Sequence, residues 1–316
     1  MIGILKGLYS VLHGVFFSPE RFYCELSIGG GVTFKIWERP GSWASMKELK
    51  QIAKDIHEVS VAGQDGKDIP EYGVLSGEIE DLKNRVITIG YDKKSGRPVG
   101  YAAQIYLDLT LGLNEVEVLH LGLVFVAKNF QKKAMLSLLY LLPNILLLLK
   151  RGFRPLWISS VTQVPAIVGL VGDYYDNVYP NPLGNNTQGV MHKSIGNTIM
   201  KNFRKAFGTG EDAIYDEEKQ LILNSYTGGS DNLKKTFEEA PKYRKELINE
   251  YCREQLDYDR GDDVLQIGIL STSLIHRFFT NKLQGISSVR YGLYLTFVAI
   301  FLTFLPVLRW LTRKQD

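Results

Sequence analysis

The chain has 316 residues, 22% of them charged and 45% hydrophobic, which fits one large folded domain or two small ones and excludes a wholly disordered chain. A formal net charge of +3, with no basic helix and no arginine-rich tail, gives no grounds for nucleic-acid binding. Two cysteines, Cys24 and Cys252, stand far apart with no metal-ligand spacing, so a reducing compartment is expected and a disulfide framework is not.

Taken in order, Met1 to Phe17 carries Ile4, Leu5, Leu8, Leu12, Val15 and Phe16 at helical spacing, with Lys6 its one full charge. The pattern predicts an amphipathic helix lying in a membrane interface or packing on the core, and no small-residue signal cleavage site follows it. Gly29-Gly-Gly31 reads as a turn rather than a phosphate loop, since no strand is expected before it. VTFKIWER, Val32 to Arg39, alternates as a strand that Pro40-Gly41 ends. Ser42 or Ser45 then caps a helix reaching His57, with Leu49, Ile52, Ala53 and Ile56 on one face. Val61 to Gly77 reads as a loop, followed by a short helix near Ile79 to Asn84.

A hairpin comes next, Arg85 to Tyr91 and Pro98 to Leu107, joined by Asp92-Lys-Lys-Ser-Gly-Arg97 with the turn residues and positive-φ glycine it needs. Glu115 to Lys150 then gives a buried apolar strand, a polar loop KNFQKK and a long apolar helix from Ala134, ended by Lys150-Arg151-Gly152. Pro155 to Val161 is a further strand, and Pro165 opens a helix to Asp173.

Beyond Pro180, Asn181 to Thr187 is a loop and Val190 to Phe207 has a helical pattern through Ile195, Ile199 and Phe203. Lys219 to Tyr226 reads as a short strand, and Leu233 to Leu256 as a helical stretch interrupted at Pro241. Val264 to Leu270 is the last strand, and Leu274 to Leu283 a short helix.

Tyr291 to Leu308 holds no charged residue and is long enough to cross a hydrocarbon core of roughly 30 Å, with Arg290 on one side and Arg309, Trp310, Arg313 and Lys314 on the other. A single-pass C-terminal transmembrane helix is expected, of the tail-anchor kind that inserts once synthesis is complete; a buried core helix is the alternative. The expected organisation is 1–31 as N-terminal helix and linker, 32–283 as the folded domain, and 284–316 as the anchor.

A helix N-terminus fed by a loop presents unpaired N–H groups and a partial positive charge, and so can bind phosphate without special side chains. Val126-Ala-Lys-Asn-Phe-Gln131-Lys-Lys-Ala134-Met-Leu-Ser137 resembles the acyl-CoA pyrophosphate loop of the GNAT superfamily of N-acyltransferases. Gln131 matches the family's Arg/Gln and Ala134 stands at its second glycine, while Lys132 replaces the first glycine and Leu136 the last small residue. The order of elements from Val32 to Pro180 also resembles that fold. So does Ser159 to Pro180, apart from Val164 in place of an asparagine before Pro165.

The resemblance implies an α/β fold, a mixed and mostly antiparallel sheet flanked by helices. Its fourth strand and following helix would hold acyl-CoA, and its fifth strand would splay away from the fourth. It implies an enzyme that moves an acyl group from acetyl-CoA or acyl-CoA, or from an acyl carrier protein thioester, to an amine, without a metal. Pyrophosphate would meet the loop amides from Gln131 through Lys132, Lys133 and Ala134 to Met135, and the pantetheine arm would run along Val124, Phe125 and Val126. Tyr174 and Tyr175 lie where family members keep a tyrosine near the thiol; as core aromatics they would have no such role.

On the long strand, Glu117 and His120 are candidate bases, one through a raised pKa and the other with less perturbation. Their odd spacing puts them on opposite faces, with Glu115 on the face of Glu117. A solvated glutamate and a hydrogen-bonded core histidine are the structural alternatives. No nucleophile elbow, zincin motif, phosphate loop or clustered Cys/His appears, and the five histidines show no metal spacing. With the anchor, the chain reads as a membrane-attached acyltransferase, its catalytic domain on the cytoplasmic side, acting on a small-molecule or lipid-like amine. A non-catalytic, membrane-tethered acyl-CoA-binding or scaffolding protein is the alternative.

Overall fold

The computed structural model describes residues 10, 11, 13, 14, 19–28, 31–63, 68–70, 73–130, 135–184 and 187–282. Most of the Met1 to Phe17 helix, the Gln131 to Ala134 loop and the Tyr291 to Leu308 segment lie outside the described residues. No helix among the described residues is long and apolar enough to cross a membrane.

Ten strands form one mixed sheet: β1 (Tyr23–Ile28), β2 (Val32–Glu38), β3 (Arg85–Asp92), β4 (Pro98–Leu111), β5 (Asn114–Val126), β6 (Leu156–Thr162), β7 (Asp176–Tyr179), β8 (Ile214–Asp216), β9 (Leu221–Leu223) and β10 (Asp263–Leu270). Their order is β1-β2-β3-β4-β5-β6-β10-β9-β8, with β7 also on β10. Every pairing is antiparallel except that of β5 with β6.

The helices cover both faces. On one face α1 (Met46–Gly63) lays Leu49, Ile52, Ile56 and Val59 against Ile87, Ile89, Tyr101 and Ala103. On the other, α2 (Met135–Lys150) is buried along nearly its whole length against Phe34, Ile36, Val86, Leu119 and Leu121. On its other side α6 (Ser273–Lys282) packs against it, and residues of α3 (Pro165–Tyr174) join the same apolar cluster, which is why its apolar residues run all round rather than along a stripe. The helices α4 (Val190–Asn202) and α5 (Glu246–Gln255) complete the C-terminal part.

Several expectations are corrected. A strand, β1, precedes Gly29-Gly-Gly31 and forms a hairpin with β2, so the expected fourth and fifth strands are β5 and β6. Ser45 is the serine that caps α1, its Oγ accepting from the Glu48 N–H at 3.3 Å, and the helix runs past His57 to Gly63. Lys219 to Tyr226 is a strand only over Leu221–Leu223, because Gln220 and Asn224 adopt positive φ of 52° and 57° on either side. Leu233 to Leu256 is helical only from Glu246. Before it the chain forms turns, at Asp231–Leu233 and where the Ala240 N–H donates to the Thr236 carbonyl at 3.1 Å, and is tied to α3 by the Pro241 carbonyl accepting from the Ala166 N–H at 3.0 Å and by the packing of Tyr243.

Candidate functional site

The site is set by how β5 and β6 part. They pair in parallel only from Val118↔Trp157 to His120↔Ser159. Beyond that point β5 runs on from Leu121 to Val126 on β4 alone, while Ser160 to Thr162 of β6 pair with β10. The divergence begins at a bulge. Between Ala103 and Ile105 of β4 the partner register on β5 slips from Leu123 to His120, with Gly122 at φ +53°. An extra residue bends and twists a strand locally. Only glycine serves here, since a Cβ at position 122 would lie 2.0 Å from the Ala103 carbonyl oxygen.

A cavity of about 360 Å³ fills the parting and is lined from both faces of the sheet. Val124, Val126, Leu136 and Ile167 belong to the cluster around α2, whereas Leu123 and Phe125 belong to that around α1, and Ile105 and Phe207 to a third around α4. The gap therefore joins the two sides of the sheet. The Ala127 N–H donates to Val99 of β4 at 2.9 Å, and antiparallel alternation then turns the N–H and C=O of Val124 away from β4, into the gap.

Of the residues singled out in the sequence, Val124, Phe125, Val126 and His120 line this cavity together. Met135 opens α2 but is 1% exposed, its methyl group lying against Gly90; Leu136 and Tyr140 are the α2 residues that reach the cavity. Gln131, Lys132, Lys133 and Ala134 are outside the described residues. Glu117 and His120 do lie on opposite faces. Glu117 is away from the cavity, bound by Arg39 at 3.0 Å and Arg151 at 2.6 Å. Its carboxylate is thus clamped between two guanidinium groups.

His120 is 2% exposed, shares a 3.0 Å hydrogen bond between its Nδ1 and Ser159 Oγ, and stacks on Phe207 with ring centres 4.9 Å apart. Burial, helped by the charge of Arg85, pushes its pKa down to about 3. The expected lightly perturbed base is thus a neutral ring whose conjugate acid is too strong to hold a proton near neutrality. Tyr174 and Tyr175 pack in the core around α2, Tyr175 accepting from Asn144 Nδ2 at 2.6 Å, and neither lines the cavity.

Among the polar residues of the site that were not singled out in the sequence are Arg85, Tyr140, Ser225, Tyr226 and Asp263. Tyr140 Oη donates to the Gly122 carbonyl at 2.7 Å, which puts a phenol at the bulge itself. Arg85, 4% exposed, donates from Nε to the Asp81 carbonyl at 2.7 Å. Asp263 opens β10 level with the C-terminal end of β6, next to the pair Val264↔Thr162. It is 4% exposed, and its carboxylate accepts from Tyr226 Oη at 3.2 Å and from the Ser225 side chain.

Burial pushes the Asp263 carboxyl up to about 7, its two hydroxyl partners offsetting part of the effect. The preceding residue is treated oppositely. Burial of Asp262 is outweighed by Arg260, at 2.6 and 2.8 Å, and by the Asn224 and Asp257 N–H groups, so its pKa is lowered. Two adjacent carboxyls pushed apart in this way mark the higher one as the group able to gain and lose a proton near pH 7. The sequence signal was an acidic doublet opening a mostly apolar strand, DDVLQIGIL.

No group of acidic, histidine or cysteine side chains able to hold a metal occurs among the described residues. No family model matches the chain, and no curated protein matches it in sequence. Among solved structures it is similar to a ribosomal-protein-S5-alanine acetyltransferase from Vibrio fischeri, at 8% identity over 78% of this chain and 97% of that one, with a TM-score of 0.33. It is similar to a GNAT-family acetyltransferase from Streptococcus pneumoniae, at 14% identity over 41% and 82%, with a TM-score of 0.29. An acetyltransferase from Trypanosoma brucei matches at 17% identity over 38% and 75%, with a TM-score of 0.27. Scores this low leave the functional reading to rest on the cavity itself.

Proposed function

We propose that the chain is an N-acyltransferase that takes its acyl group from an acyl-CoA thioester and passes it to an amine. The observation that carries this reading is the cavity through the parted parallel strands β5 and β6, with the backbone of Val124 turned into it. A pantetheine arm is a chain of two amides ending in a thiol, and it needs donors and acceptors at strand spacing along an apolar slot. The edge of β5 at Val124, turned away from β4, supplies that, as an added strand would use it. The acceptor nitrogen attacks the thioester carbon, a C–N bond forms, the C–S bond breaks, and the nitrogen sheds its proton to a base while the thiolate gains one. Tyr140, at the bulge, is the phenol placed to protonate the thiolate.

The apolar run from Tyr291 to Leu308 supports membrane attachment as part of the same reading, with the catalytic domain on the cytoplasmic side. The test is to incubate the purified full chain in detergent with acetyl-CoA and with longer acyl-CoA donors, across a panel of amines, and to follow release of free thiol. Amine-dependent release supports the enzyme. Binding of donor without release across the panel supports the non-catalytic acyl-CoA-binding alternative, and no binding of any donor overturns both.

A further inference from the structure

Asp263 poses a problem that its own surroundings do not solve. It is a nearly fully buried carboxylate on the wall of the cavity, and its partners are the hydroxyls of Ser225 and Tyr226. No cation pairs with it among the described residues, although its neighbour Asp262 has Arg260. Buried carboxylates are otherwise matched by a positive group or kept neutral. The other charged or titratable groups on the cavity are Arg85 and His120 from β3 and β5, Tyr140 from α2, Tyr226 beside it, and the exposed Lys235, and none of them forms an ion pair with it.

The cavity also carries the apolar side chains of Ile105, Phe207, Leu233 and Val161. We infer that Asp263, with Ser225 and Tyr226, is the subsite for the ammonium group of the acceptor, and that the acceptor is a small primary amine with an apolar body.

This rests on the acyltransferase reading and adds the substrate class to it. An alkyl- or arylalkylammonium ion enters with its cation on the carboxylate and its hydrocarbon part against Phe207 and Ile105. Asp263 takes one proton from the nitrogen as the free amine attacks the thioester carbon; the second proton leaves the nitrogen as the C–S bond breaks and replaces the one that Tyr140 gives to the departing thiolate. Atoms and charge balance with no further reactant. A partly open cavity of about 360 Å³, shared with the end of the donor, is of a size for a small molecule. A carboxyl that titrates near neutrality is suited to that exchange.

The test separates this subsite from the reading beneath it by measuring amine binding without any donor. Thermal unfolding of the full chain is recorded at pH 8 with millimolar benzylamine or n-butylamine and with their neutral counterparts, benzyl alcohol and butan-1-ol. The subsite predicts that the amines raise the transition temperature of the native chain and the alcohols do not. It also predicts that Asp263→Asn abolishes the amine effect while leaving CoA binding intact. Equal stabilisation by amines and alcohols, or no stabilisation by any amine, overturns the inference even where acetyl-CoA binds and the acyltransferase reading stands. The comparison within the native chain decides the matter even if Asp263→Asn does not fold.

Discussion

At the scale of single residues, the cavity divides its polar groups by the proton each can hold. His120 is neutral near pH 7, because burial and Arg85 hold its pKa near 3, whereas Asp263 is held near 7. Acyl transfer is therefore expected to rise with pH through about 7 as Asp263 ionises. Asp263→Asn should lower the amine-dependent rate by roughly 10²- to 10⁴-fold and flatten that rise. A rate–pH profile of the variant that keeps the native inflection would contradict the assignment.

Stability carries the opposite sign. A carboxyl whose folded pKa is raised contributes stability that is present below its unfolded value, roughly 4, and is lost as pH climbs through its folded value. The native chain should therefore lose stability relative to Asp263→Asn between about pH 4 and pH 7, measured as the difference in denaturant midpoint at each pH. Gly122 gives a second expectation at this scale. Gly122→Ala meets both the positive φ and the Ala103 carbonyl, and should cost about 2–4 kcal/mol in denaturant unfolding. A cost below 1 kcal/mol by that measurement, on the order of an ordinary surface change, would mean the bulge is not fixed by this residue.

At the scale of elements, β5 serves two purposes. Its first half is held between β4 and β6, and its second half borders the gap. Val124→Pro removes an N–H that faces the gap and leaves the β4 ladder bonds in place, the kind of position where a strand tolerates proline. The variant should bind CoA at least about tenfold more weakly, a change on the order of 1.4 kcal/mol, while its unfolding midpoint moves little. Equal affinity by titration calorimetry would remove Val124 from the donor site.

Much of this element was readable beforehand. A mostly apolar run from Val116 to Val126, broken by Glu117 and His120, is what a largely buried strand requires, and a strand, loop and apolar helix in that order is the arrangement the structure shows from β5 to α2. What it withheld is instructive. Glu117 and His120 look alike as titratable residues on a strand. Only the positions of Arg39 and Arg151, distant in sequence, put Glu117 in an ion-paired clamp away from the cavity, and only packing such as that of Phe207 buries His120. Tyr174 and Tyr175 matched a family position by their neighbourhood, yet the turn of α3 carries them into the core while Tyr140 of α2 takes the place beside the bulge. Asp263 was hidden for a simpler reason. It reaches the cavity because β10 runs antiparallel beside β6, and that pairing joins segments about a hundred residues apart.

At the scale of the molecule, the sheet extends well past β6 through β10, β9 and β8. Segments after Pro180 supply Phe207, Ser225, Tyr226 and Asp263 to the cavity, so the C-terminal part of the chain forms one wall of the site. Val11 and Ile275 both pack on the cluster around α2, so the described chain enters and leaves the fold on that side. A chain ended at Leu283 should still bind acetyl-CoA but no longer float with phospholipid vesicles on a density gradient; continued flotation would place the membrane contact elsewhere.

The central claim is that the parting of β5 from β6 is where an acyl-CoA lies. Amide hydrogen exchange of the full chain with and without saturating CoA tests it most directly. The account predicts slowed exchange over Leu123 to Val126 and no change along β2, on the far side of the sheet. Bound CoA that leaves β5 exchange unaltered, or that protects another part of the chain instead, would contradict it.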